Sequence, residues 1–187
     1  MLKYRLFLAL SVFLLSACAS AGEMASGILA TDVPPTPTVE PLSDIFKSAM
    51  NDFITAGSKL NAATGQGVSY LNYRDYYAEV NGAYELALVS WPENFAPEAK
   101  ELFTQAVLGW DLTGFMWSAK LNDEAPPTAP DEQRYAEFEE YAGDYLQGFE
   151  GTLSTRYFLT DENIGILLSL ASEQFEAGRE SILPLLQ

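Results

Sequence analysis

Histidine is missing from all 187 residues, and cysteine occurs once, at Cys18. Without histidine there is no Ser-His-Asp or Cys-His arrangement, no Glu-x-x-His di-iron site, no zinc-protease helix and no covalent haem motif. With a single thiol no internal disulfide can form, so the fold is held by packing alone. Phosphate-cradling patterns are absent too: no Gly-x-x-x-x-Gly-Lys precedes a Ser or Thr, no Gly-x-Gly-x-x-Gly occurs, and Gly65-Gln66-Gly67 runs into Val68-Ser69 as a plain turn. The acidic loops lack the Asp-x-Asp-x-Asp-Gly spacing of a calcium hand. Positive charge is scarce, with 10 Lys and Arg against 26 Asp and Glu and a net charge of −16. Phosphate backbones repel such a chain, which argues against nucleic acid as a partner.

The one cysteine closes a segment with its own physical logic. Lys3 and Arg5 come first, then an apolar run over 6–15 broken only by Ser11, then the small Ser16 and Ala17. That order is the order of an export signal. As a helix, 6–17 would reach roughly 18 Å, short of the hydrocarbon core of about 30 Å. Leu15-Ser16-Ala17-Cys18 resembles the lipobox of bacterial lipoproteins. The resemblance implies cleavage before Cys18, a diacylglyceryl thioether on its sulfur and acylation, as with palmitate, of the new amine. Several acyl chains together give the stable membrane attachment that one chain does not. Ala19, in place of Asp, implies the outer membrane in a two-membrane envelope and otherwise the outer face of the cell membrane. An ordinary secretory peptide cut after Ala17, with Cys18 left as a free thiol, is the alternative. Removing Lys3 and Arg5 takes the net charge to −18.

Three regions are therefore expected: a lipoprotein signal peptide at 1–17, a lipidated N-terminus and linker at 18–41, and a domain at 42–187. The linker is small and polar at first and then Pro/Thr-rich, Pro34-Pro35-Thr36-Pro37-Thr38-Val39-Glu40-Pro41, which favours extended polyproline geometry. It lifts the domain clear of lipid headgroups.

Beyond the linker the apolar period is helical nearly everywhere. A first helix over 42–63 has Ser43 as N-cap and Ile45, Ala49, Phe53, Ala56 and Leu60 as its stripe. A second over 70–90 carries Tyr70, Tyr73, Tyr77, Val80, Tyr84 and Ala87 and ends at Trp91-Pro92. A third over 96–121 opens with Pro97-Glu98 and shows Leu102, Phe103, Ala106, Val107, Trp110, Gly114 and Trp117 on one broad face. After a proline-rich loop at 122–130, a fourth ends within 146–149 with Tyr135, Phe138, Tyr141, Ala142, Tyr145 and Phe149 as its stripe. Residues 150–160 read as irregular or briefly extended. Thr160-Asp161-Glu162 then caps a fifth helix whose stripe is Ile164, Leu167, Leu168, Ala171, Phe175, Gly178 and Ile182. The expected fold is all-α, a compact antiparallel bundle of four to five helices, four of them principal and one packed across or alongside.

Candidate chemistry is thin. Glu137, Glu140 and Asp144 share a helical face and would suit a hard cation if a neighbouring helix added oxygens, yet a solvated face explains them as well. No metal and no cofactor are expected. Asp111 follows Trp110 on an otherwise apolar helix, so a half-buried position with an Arg or Lys partner is expected, in an ion pair and not as an acid catalyst. Tyr76 is out of register with the Tyr73/Tyr77 stripe and is expected to be exposed. Tyr76, Trp110 and Asp111 are thus the candidate ligand contacts.

These readings point to a non-catalytic, membrane-anchored envelope lipoprotein whose helical domain binds an envelope protein or serves as an accessory subunit. The alternative is a ligand-binding module for a cation, amine or saccharide, in an aromatic and acidic pocket between the second, third and fourth helices. An exposed apolar patch favours the first and a cleft lined by Tyr and Asp or Glu favours the second.

Overall fold

Helices in this chain begin where a hydroxyl can take up an unpaired first-turn amide. Ser43 Oγ accepts from the Phe46 amide at 3.2 Å, Ser69 Oγ from Asn72 at 3.4 Å and Thr160 Oγ1 from Asn163 at 3.1 Å. The computed structural model describes residues 41–122, 129–147 and 159–187, all within one compact unit. They form α1 (Asp44–Gly65), α2 (Tyr70–Val89), α3 (Pro97–Asn122), α4 (Ala129–Ala142) and α5 (Asp161–Ile182), followed by a short 3-10 turn at Leu183–Leu185. Among the described residues there is no strand. The signal segment, Cys18 and nearly all of the linker lie outside the described residues, as do 150–158 and Phe149.

Cross-contacts define the topology. Tyr84 meets Thr104 at 2.6 Å and Tyr77 meets Asp111 at 3.1 Å, which sets α2 antiparallel to α3. Phe103 packs on Phe175 with ring centroids 5.9 Å apart, while Lys120 pairs with Asp161 at the far end, which sets α3 antiparallel to α5. Lys59 and Glu79, 2.7 Å apart, and Phe46 against Trp91, 5.2 Å between rings, pair α1 with α2 in the same sense. Ser172 donates to Asn61 at 2.8 Å and Phe53 meets Phe175 at 5.7 Å, closing α1 onto α5. Four helices thus run up and down around one core, and the shorter α4 packs beside α3.

That core is aromatic. Phe53 lies 5.0 Å from both Tyr84 and Phe103, and Phe175 lies 5.4 Å from Trp110, all fully or almost fully buried. A second core forms where Leu112 and Met116 of α3 meet Phe138 and Ala142 of α4 and Ile164 and Leu167 of α5. α3 is therefore buried on two sides, which is why its apolar residues do not keep to a single stripe. Close approach of the helices depends on glycine. A side chain on Gly57 would strike the ring of Phe175, and one on Gly109 would sit 2.9 Å from the Ala171 Cβ.

Two expectations of register are corrected. Ile45 is 74% exposed, because the buried face of α1 begins with Phe46 and Met50, and Phe46 is held between Trp91 and Phe95. Tyr145 is 63% exposed because α4 stops at Ala142 and not within 146–149. The stop follows from Gly143, whose amide still reaches the Glu139 carbonyl at 3.1 Å in a turn so tight that a Cβ would come within 2.6 Å of that oxygen. The chain then turns Leu146 into the second core, and the buried Asn163 holds Gln147 from both sides, its carboxamide bonding that residue's backbone N–H and C=O at 2.8 Å each. Between α2 and α3, Asn94 and Ala96 take positive φ of 61° and 42°, and Trp91 Nε1 donates to the Phe95 carbonyl at 2.7 Å to brace the turn.

Candidate functional site

On α2, Tyr70, Tyr73, Arg74 and Tyr77 recur at three and four and share one helical face. Asp111, Gly114, Phe115 and Ser118 do the same on α3. These two faces, joined by Arg134 of α4, line a cleft of about 300 Å³. That is the small end of the roughly 300–1,000 Å³ typical of small-molecule sites. Gly114 keeps it open, because its place on the α3 wall carries no side chain.

At one end of the cleft sits a charged network. Asp111 accepts from the Tyr77 hydroxyl through Oδ1 at 3.1 Å and from Arg134 Nη1 through Oδ2. The same Nη1 also donates to Glu137 Oε2 at 3.0 Å. Asp111 and Arg134 are about one-third exposed, so their attraction is partly screened by water and orients the groups more than it stabilises the fold. Burial works against the charge on Arg134, but Asp111 and Glu137 outweigh it and hold the guanidinium above its ordinary range. Burial, then the neighbouring Asp111 carboxylate, push the Tyr77 phenol well above its usual value.

An aromatic tier backs this network. Tyr73 is fully buried and donates to the Trp110 carbonyl. Its ring stacks on Tyr77 with planes 5° apart, and Trp117 lies 5.6 Å from Tyr73 and 6.0 Å from Tyr70. Burial, then the Tyr77 ring beside it, raise the Tyr73 phenol strongly. Both phenols stay neutral through the physiological range and act as hydrogen-bond groups, not as proton carriers.

Of the three candidate contacts, only Asp111 lines this cleft. It is half-buried and paired with an arginine, as its place in the sequence suggests. Trp110 is a correction: it is fully buried against Phe175, one helical position round from the cleft wall, and reaches the cleft tier only through its backbone carbonyl. Its Nε1 has no hydrogen-bond partner among the described residues. Tyr76 is likewise corrected. It packs half-buried against the main core and does not line the cleft, because α2 lies between α1 and α3 and buries a wider arc than one stripe. Of the three acids expected on one helical face, Glu137 serves Arg134, Glu140 is exposed on α4 and Asp144 is exposed just beyond its end, and no cluster of three acidic or cysteine side chains among the described residues is placed to hold a metal ion.

Arg74 and Arg134 were not singled out by sequence reasoning. The available signal was their rarity in an acidic chain, together with the position of Arg74 one turn from Tyr70. No protein family, characterised protein or solved structure matches this chain.

Proposed function

We propose that this is a non-catalytic lipoprotein of the bacterial envelope, anchored through Cys18, whose helical domain binds a small molecule in the cleft between α2, α3 and α4. The observation that carries the binding reading is the cleft itself: three tyrosines, a phenylalanine and three charged side chains converge on one opening. A catalytic role gains nothing from these groups, since Tyr73 and Tyr77 hold their protons and the Asp111 carboxylate is engaged by two donors. Among the described residues no helix is long and apolar enough to cross a membrane. The expected location is the outer membrane of a two-membrane envelope, or the outer face of a single cell membrane.

The test of binding is a thermal-shift screen of the full chain against small anions, amines and saccharides. A ligand at a hundred times its Kd adds about 2.7 kcal/mol to the folded state, a displacement of several degrees in Tm. Gly114→Leu, which fills the cleft, should abolish the shift, whereas Gly114→Ala, with its Cβ in ordinary contact 3.4 Å from Tyr73, should keep it. A shift that survives Gly114→Leu places binding elsewhere. For the anchor, Cys18→Ser should move the protein out of the detergent phase, and unchanged partition refutes the lipid attachment.

A second reading, docking of an envelope protein on the bundle, draws on the exposed Leu86 and Val89 of α2, 66% and 87% accessible. Capture of one specific envelope protein that is lost in Leu86→Ser with Val89→Ser supports it.

A further inference from the structure

Two donors at the cleft have no hydrogen-bond partner among the described residues. Among the described residues the Tyr70 hydroxyl makes no hydrogen bond, and the nearest carboxylate to the Arg74 guanidinium is that of its neighbour Asp75, 3.9 Å away. Tyr70 and Arg74 lie one helical turn apart on the face of α2 that lines the cleft. The acceptors are in the opposite condition. Each oxygen of Asp111 already receives a donor, one from Tyr77 and one from Arg134, and Glu137 is engaged by Arg134 as well. On the cleft walls an entering cation therefore meets only the Asp111 carboxylate, already held by Tyr77 and Arg134. An entering carboxylate meets a guanidinium shaped to receive it in bidentate fashion and a phenol able to add a third bond. Between these groups the walls are flat and carbon-rich, supplied by Phe115 and Tyr77.

Resting on the reading of this cleft as the binding site, we infer that its ligand is a small organic anion with a flat apolar body, an aromatic carboxylate in class. The carboxylate sits on Arg74 and Tyr70, and the ring lies against Phe115 and Tyr77. A volume of about 300 Å³ suits a ligand of this size. The chain's charge of −16 repels anions at a distance, but at physiological salt that field is screened over about 8 Å, and within the cleft the adjacent guanidinium dominates. Arg74 is largely exposed, so it stands at the mouth, where a carboxylate is received without a buried charge being left behind.

The test titrates the full chain in detergent micelles with benzoate, benzamide, benzylamine and glucose, followed by ligand-detected NMR. Benzoate should bind saturably and more tightly than the other three. Arg74→Gln should weaken it by about tenfold, the scale of one charge-assisted hydrogen bond, with Arg74→Lys in between. Because Arg74 is exposed, its variants should keep the helical circular dichroism of the parent. Benzylamine or glucose binding as tightly as benzoate, or benzoate binding unchanged in Arg74→Gln, overturns the anionic ligand class while the cleft remains a binding site. If none of the four binds saturably and the thermal-shift screen also finds no ligand, the inference and the binding function fall together.

Discussion

Raising the pH should unfold this domain through its tyrosines. Tyr73, Tyr77, Tyr84 and Tyr141 all have their phenols raised above the ordinary value of 10.0, in each case chiefly because burial disfavours the phenolate. On unfolding each returns to the ordinary value, so above pH 10.0 the unfolded chain releases protons that the folded chain keeps. Stability is therefore complete below the unfolded value and drains as pH climbs toward the folded ones. One fully linked phenol contributes about 1.4 kcal/mol per pH unit. Tyr73, with no exposed surface, should deliver that in full. Each of the other three adds the same slope until pH reaches its own folded value, so the four together drain about 5 kcal/mol per unit where all are linked. Set against a total stability of about 5–15 kcal/mol, the fold should be lost within a few units above pH 10. Denaturation midpoints taken at stepped pH, with tyrosinate absorbance alongside, would show these four phenols ionising only as the helical signal collapses. Tyr73→Phe should flatten the slope by about 1.4 kcal/mol per unit. If every tyrosine ionised together near pH 10 while the helices persisted, the burial argument would be refuted.

Gly57→Ala should cost about 1–3 kcal/mol in chemical denaturation, because its methyl meets the Phe175 ring, whereas Gly82→Ala, facing open space on α2, should gain up to about 1 kcal/mol. Asp111→Ala should cost about 1–2 kcal/mol by leaving Tyr77 without its acceptor and Arg134 with Glu137 alone, with Asp111→Asn between it and the parent. In both Asp111 variants the Tyr77 phenol should titrate at lower pH than in the parent, since the carboxylate no longer opposes the phenolate; an unmoved titration would contradict the contact. Thr160→Ala should lower stability by about 1 kcal/mol through loss of the α5 cap, measured by the same denaturation.

The helical character of the domain was written locally. The hydroxyls of Ser43 and Thr160, Pro97 at the start of α3, and apolar residues recurring at three and four act within one or two turns, so their effects are visible without knowing the neighbours. Asp111 was legible for a related reason: a carboxylate amid apolar residues must find a cation. The offsets came from contacts across the fold. Ile45 and Phe46 are both apolar and adjacent, and only the position of Trp91 and Phe95 decides which of them is covered. Trp110 and Tyr76 left the candidate site because α3 serves two cores and α2 lies between two helices, and a single-stripe reading has no room for either.

The five helices, the reliance on packing without disulfides and the lack of histidine chemistry can all be read along the chain. These depend on residue identity and on spacing along one helix. Packing between helices is what brings Tyr70, Arg74 and Tyr77 opposite Asp111, Gly114 and Phe115 across a cleft and carries Arg134 in from α4 to bind the acid between them. Which turn of one helix meets which turn of another is set by the shapes of all the buried side chains together, with Gly57 and Gly109 letting the helices close and Phe175 filling the space between them.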